Sequence, residues 1–239
     1  MPYRSSQASK TITVLTVTVT FDMDKNVASQ GEDVRFYGRV TSNGYPEPWI
    51  SVEVYAEHPD FGKALLVSGT TDEDGYYELI WRVPWTLNDV KIPCKTLTVY
   101  AYVPDYDVSS DSKSLKIAYR TRISISAPDR VSPGKTFTVS GKLEYEDSDG
   151  WKPLAGRTVK VYYNGNLIGS DTTDSEGKYS VSGSISSPGT YTLKAVFEGE
   201  GLVLPATAVK VMGVTTQLLN PLIVSVAMIG ISALIERRL

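Results

Sequence analysis

A chain of 239 residues with 24 Lys+Arg against 27 Asp+Glu carries a formal net charge of −3. That length allows two domains of about 100 residues, and the balanced charge lacks the basic excess of a nucleic-acid binder. A single cysteine, Cys94, excludes an intrachain disulfide, so stability must come from packed cores. Cys94 itself reads as a small apolar filler near a strand start.

The first residues show no basic start, long apolar run and small-residue cleavage site, so a removed leader or another export route is expected. Residues 11–21 alternate Thr with Val and Ile, the pattern of a strand. Residues 1–17 are read as an N-terminal extension whose strand-like part is an extra strand, or one donated to a neighbouring subunit.

Beyond this extension the chain repeats itself. Gly-Thr-Thr-Asp-Glu-Asp-Gly-Tyr-Tyr at 69–77 is echoed by Asp-Thr-Thr-Asp-Ser-Glu-Gly-Lys-Tyr at 171–179, an offset of 102. Gly31 and Gly38 match Gly134 and Gly141, each at 103, and residues 52–55 match 159–162 at 107. Residues 97–101 match 191–195, and 115–117 match 209–211, both at 94. Landmarks in one order with small changes of offset indicate one fold used twice. The units are placed at residues 18–119 and 120–213, joined by a short, stiff junction.

Seven strands are predicted in the second unit, near residues 122–127, 136–144, 158–163, 166–172, 178–184, 189–197 and 206–212. Apolar and polar residues alternate along most of them, and Gly, Asn and Asp punctuate the gaps. Asn164-Gly165 between two apolar runs is a hairpin turn, because both positions must accept positive φ. Seven short alternating strands per unit predict an all-β chain of two tandem immunoglobulin-like β-sandwiches. The Thr-Thr-Asp-x-x-Gly-x-Tyr segments after a Val-x-Val-Tyr strand resemble archaeal and bacterial surface Ig-like and transthyretin-like modules. Residues 197–208 resemble the last loop and strand of such repeats. The resemblance covers about residues 18–212 and implies a fold rather than a role, since these modules serve as spacers, adhesins and scaffolds. The first unit departs from it at residues 85–95, a longer loop with two prolines nearby.

Catalytic groupings are scarce. His58 is the only histidine and falls in a surface loop, which leaves triads and His-based metal sites without material. No phosphate-cradling Gly-x-x-x-x-Gly-Lys-Ser/Thr occurs. A non-enzymatic chain without a cofactor is the expectation. Acidic loops make Asp72, Asp74, Asp147 and Asp149 weak Ca²⁺ candidates. The competing reading is that Asp caps each tight turn with its own side chain and Gly supplies positive φ. Aromatic residues gather in the first unit, and Trp49, Tyr76, Trp81 and Trp85 are taken as a candidate binding surface.

Residues 218–235 carry no charge and span roughly 27 Å as a helix, close to the thickness of a bilayer core. The predicted transmembrane helix, residues 216–236, has Leu218, Pro221, Leu222, Ile223, Val226, Met228, Ile231, Leu234 and Ile235 on its apolar length. Pro221 suits a first helical turn, and the tail at 237–239 brings Arg237 and Arg238, which favour a cytoplasmic C-terminus. The expected protein is a membrane-anchored surface structural protein that forms a homo-oligomer. Its expected partners are a lipid bilayer and other proteins, and its charge argues against nucleic acid. Two alternatives are a turret, spike or vertex component of a membrane-containing archaeal virion, and an adhesin or receptor reading a glycan or protein through first-unit loops.

Overall fold

The computed structural model describes residues 15–216. The anchor, the basic tail and residues 1–14 of the extension lie outside the described residues. Among the described residues the structure is all-β apart from one 3-10 turn at Pro104–Tyr106, and no helix is long and apolar enough to cross a membrane. The chain divides into two compact units between Tyr119 and Arg120.

The first unit contains β1 (Val17–Val19), β2 (Asp22–Met23), β3 (Val27–Ala28), β4 (Asp33–Ser42), β5 (Tyr45–Pro46), β6 (Ser51–His58) and β7 (Gly62–Thr70). It continues with β8 (Tyr76–Arg82), β9 (Thr86–Leu87), β10 (Val90–Lys91), β11 (Lys95–Val103), β12 (Val108–Ser109) and β13 (Lys113–Ile117). One sheet sets β4 between β8 and the pieces β1 and β2; the other runs β3-β13-β11-β6-β7. All pairings within these sheets are antiparallel except β3 with β13. This is the two-sheet order of an immunoglobulin-like sandwich.

The second unit contains β14 (Thr121–Ile123), β15 (Arg130–Val131), β16 (Thr136–Asp147), β17 (Gly150–Pro153) and β18 (Thr158–Tyr163). It ends with β19 (Asn166–Thr172), β20 (Lys178–Ser184), β21 (Gly189–Phe197) and β22 (Ala206–Val214). Its sheets, β16 with β14, β17 and β20, and β15-β22-β21-β18-β19, repeat the order of the first unit.

Period-two alternation builds both cores. On β4, Val34, Phe36 and Val40 are buried while Asp33, Arg35 and Tyr37 face out. On β8, Tyr77, Leu79 and Trp81 are buried between the outward Tyr76, Glu78, Ile80 and Arg82. Phe36 stacks between Phe21 and Trp81, at 5.6 and 6.3 Å between ring centres. Phe137, Val139, Leu143, Val161, Tyr179, Leu193 and Met212 form the separate core of the second unit.

The repeated segment knits each sandwich. Thr71 Oγ1 donates to the Glu47 carbonyl (2.6 Å) and accepts from the Ile50 amide (2.9 Å). Thr173 Oγ1 does the same with the Leu154 carbonyl (2.7 Å) and Arg157 amide (2.9 Å). Asp72 Oδ1 accepts from the amides of Asp74 and Tyr76, and Asp174 Oδ1 from those of Glu176 and Lys178. The Gly75 and Gly177 carbonyls then take the amides of Val40 and Leu143.

The tyrosine of the motif closes the sheet. Tyr77 faces Gly38 across the strands and its Oη donates to the Thr20 carbonyl (2.6 Å). Tyr179 faces Gly141 and donates to the Ser124 carbonyl (2.6 Å). A Cβ on Gly38 or Gly141 would run into both the tyrosine Oη and that carbonyl oxygen. Burial pushes both phenols well above the ordinary tyrosine range, so they remain donors.

Three sequence expectations are corrected. Pairing makes Ile117 the counterpart of Val214, since each sits beside the parallel strand, β3 or β15. Residues 115–117 therefore match 212–214 at an offset of 97, not 209–211 at 94. The three-residue difference is odd, so it swaps faces: Leu115 and Ile117 are buried, whereas Val209 and Val211 are exposed. Cys94 is not a core filler; it is exposed in the turn before β11, at φ +58. The long loop at 85–95 holds a hairpin, β9 with β10, turned by Asn88 and Asp89 at positive φ.

Candidate functional site

An open groove of about 750 Å³ lies on the first unit, lined by residues from β4, β8 and the segments flanking them. Trp49, Tyr37 and Tyr76 supply its aromatic surface, and Asp22, Asp72 and Glu78 its carboxylates. Tyr37 and Glu78 are cross-strand neighbours on the outer face of the sheet. The Arg39 guanidinium lies 4.8 Å from the centre of the Tyr76 ring and donates through Nε to the Asp74 carbonyl. These contacts hold Tyr76 in place with its ring exposed.

Trp49 is the unusual member. The residue is 71% exposed and its backbone is left-handed, at φ +62. Its amide donates to the Thr71 carbonyl, as the Gly156 amide donates to the Thr173 carbonyl. The two residues thus occupy the same place in the two units, and Gly156 has φ +71. A left-handed backbone costs an L-residue roughly 1–2 kcal/mol that glycine does not incur. The first unit carries that cost to hold a bulky indole in solvent.

The carboxylates are partly engaged. Lys113 bonds Asp22 at 2.8 Å and holds its carboxyl below the ordinary aspartate range. Arg35 lies 3.6 Å from Glu78. Asp72, which lines the groove, offers Oδ1 to the two amides of its turn.

The second unit has a groove of about 730 Å³ at the equivalent place, around Gly141 and Tyr179. Through the matched pairings, Tyr37 is replaced by Ser140, Tyr76 by Lys178 and Glu78 by Ser180. The frame is shared and the aromatic surface is not.

Of the aromatic residues singled out from sequence, Trp49 and Tyr76 meet in this groove. Trp81 does not belong to any surface: it is 6% exposed and stacked on Phe36, because its parity on β8 points it inward. Trp85 is half-buried before β9, outside the groove. Tyr37 was missed, although it shares parity with Asp33 and Arg35 and so reads as outward-facing. The acidic residues sort into turn roles. Besides Asp72, Asp147 Oδ1 accepts from the Ser148 amide, and Asp149 pairs with Lys152 at 3.3 Å. Among the described residues no group of three His, Cys, Asp or Glu converges as a metal site. His58 ends β6, where Nδ1 accepts from the Asp60 amide and the ring stacks on Phe61.

A second aromatic cluster, on β6 and β11, is satisfied from within. Tyr55, Tyr100 and Tyr102 donate to Glu53, Glu57 and Asp107, and the Lys63 ammonium lies 3.8 Å from the Tyr55 ring centre. Carboxylate acceptors raise the phenols of Tyr55 and Tyr102, and burial followed by Glu57 raises that of Tyr100. With hydroxyls and cation paired inside the chain, this cluster clamps β7 to its neighbours.

Strand order and register define the class: two tandem β-sandwiches of immunoglobulin-like topology. No protein-family model matches the chain, and a comparison with curated proteins finds no match. Among solved structures it is similar to a C-terminal fragment of intimin in complex with the intimin-binding domain of its translocated receptor. That similarity has 14% identity and a TM-score of 0.48, over 83% of this chain and 64% of the fragment. It is also similar to the Yersinia pseudotuberculosis adhesin InvE, with 12% identity and a TM-score of 0.36, over 84% of this chain and 59% of that one. A Salmonella alpha-2-macroglobulin is a third, with 16% identity, a TM-score of 0.35, and coverage of 83% of this chain against 14% of that one. The chain thus spans less than two thirds of the intimin fragment and of InvE.

Proposed function

We propose that this protein is a non-catalytic surface recognition module that holds a glycan in the aromatic groove of its first unit. The observation that supports this reading is Trp49, an exposed indole on a left-handed backbone where the sister unit keeps glycine. Strain of this kind persists where the surrounding structure over-determines it and marks sites of function. A sugar ring has an apolar C–H face that packs on an aromatic ring, and hydroxyls at its rim that donate to carboxylates. Trp49, Tyr76 and Tyr37 supply the first surface; Asp72 and Glu78 supply the second.

In the same reading, residues 218–235 anchor the chain in a bilayer and Arg237 and Arg238 stay on the cytoplasmic side, so the two sandwiches are presented outward.

The test is a glycan array probed with the full chain in detergent micelles, beside the Trp49→Gly variant. The expected result is binding to a restricted set of glycans that the variant loses while both units stay folded by circular dichroism. A blank array, or binding that survives Trp49→Gly, overturns the groove as a glycan site. Recovery of the full chain in the soluble fraction of its host overturns the anchor.

A further inference from the structure

On the second unit, β22 carries two exposed valines along an edge that is unpaired over most of its length among the described residues. Strand β15 pairs with β22 only at Gly213 and Val214. Among the described residues no strand pairs with residues 206–212 on the side of β22 away from β21. Val209 and Val211 stand on the outer face of this stretch, 56% and 58% exposed. The one charge on its inner side, Lys210, is bonded to Asp129 at 2.8 Å, so it does not repel an incoming strand.

The first unit treats the same edge differently. At the offset of 97 that pairing establishes, Val209 and Val211 correspond to Ser112 and Ser114. Both serines are exposed, and Lys113 between them is tied to Asp22 at 2.8 Å. Polar outer positions leave an incoming strand no apolar face to pack on, and polarity and charge are the usual protection of a strand edge. The first unit has that protection and the second does not.

The sequence also supplies a strand-like segment that lies outside the described residues. In the first unit β1 begins at Val17, opposite Ser42, the last residue of β4. Asn43 closes that end: its amide donates to the Thr16 carbonyl, and its Oδ1 accepts from the Thr16 amide. Residues before Leu15 lie outside the described residues. Yet the sequence there, Thr11-Ile12-Thr13-Val14, keeps the strand alternation and is uncharged. Ile12 and Val14 are two positions apart, like Val209 and Val211. Cross-strand pairs of β-branched residues on one face are favourable.

We propose that residues 11–14 of a second copy of this chain add as a strand to the open edge of β22, with Ile12 and Val14 against Val209 and Val211. Each copy offers both a donor segment and an acceptor edge, so the contact is head-to-tail and links copies into rings or filaments.

The test mixes two differently tagged full-length chains in detergent micelles, both with Cys94→Ser. One carries Ile12→Cys or Val14→Cys, the other Val209→Cys or Val211→Cys. Under mild oxidation the expected product is a disulfide between the two tags for at least one of the four combinations, since facing Cα atoms lie within bridging range. Adding Val209→Lys to the chain with cysteine at 211 should cut that product about tenfold, while circular dichroism stays unchanged because the side chain is outward. The proposal is overturned if no combination cross-links. It is equally overturned if a disulfide forms only when both cysteines are in one chain, or if Val209→Lys leaves the product unchanged.

Discussion

At one backbone position the first unit places Trp49 and the second Gly156, both left-handed, at φ +62 and +71. Around that position the units agree closely. A buried threonine clamps the preceding loop, an aspartate caps the turn, and a tyrosine crosses a glycine to reach the residue that follows the first strand. The second unit shows that this frame needs no indole. Where two copies share the frame, a costly difference between them points to something other than folding, here an exposed aromatic groove.

The comparison can be broken at its shared part first. Gly38→Ala and Gly141→Ala should each destabilise their own unit by about 3 kcal/mol, since each Cβ meets a backbone carbonyl that cannot retreat. Thermal unfolding followed at Trp81 for the first unit and Trp151 for the second would check this. A large effect in one unit alone would show that the frames are not equivalent. Tyr77→Phe and Tyr179→Phe keep the ring but orphan the Thr20 or Ser124 carbonyl, and should cost about 1–3 kcal/mol each.

The difference between the units supplies the next prediction. Trp49→Gly should stabilise the first unit by about 1 kcal/mol by relieving the left-handed backbone. The reverse change, Gly156→Trp, should cost the second unit a similar amount. Chemical denaturation of each variant measures both; destabilisation by Trp49→Gly would mean the indole has a packing role.

The smallest expected effect is in pH dependence. Arg122, with Lys142, holds the Glu144 carboxyl below its ordinary value of 4.5. A carboxyl depressed in the folded state stabilises that state above the unfolded value, and the contribution is lost as pH falls through the folded one. The melting temperature of the second unit should therefore fall as pH drops below 4.5, and Glu144→Gln should flatten that fall. An unchanged profile in the variant would remove this pair from the account.

Much of the frame was legible in the sequence because it is local. Asp72 and Asp174 cap turns two to four residues ahead of themselves, and the echo of nine residues at 69–77 and 171–179 announced one fold used twice. The strands at Thr158–Tyr163, Asn166–Thr172, Lys178–Ser184 and Gly189–Phe197 begin and end where alternation places them. Short pieces such as β15 and β17 escaped, since two to four residues carry too little periodicity to register.

The sequence by itself determined that residues 18–213 are built of strands, that they repeat, and where their turns fall, because alternation and turn chemistry act over a few neighbouring residues. Tertiary structure decided which aromatic residues are surface. Trp81 and Trp49 look alike in sequence, but pairing of β8 with β4 sends one into the core while the clamp at Thr71 holds the other in solvent. Register also decided the face of β22, where a three-residue difference in alignment turns Val209 and Val211 outward. These outcomes depend on partners distant in the chain, and a side-chain period of two makes any odd shift reverse the face.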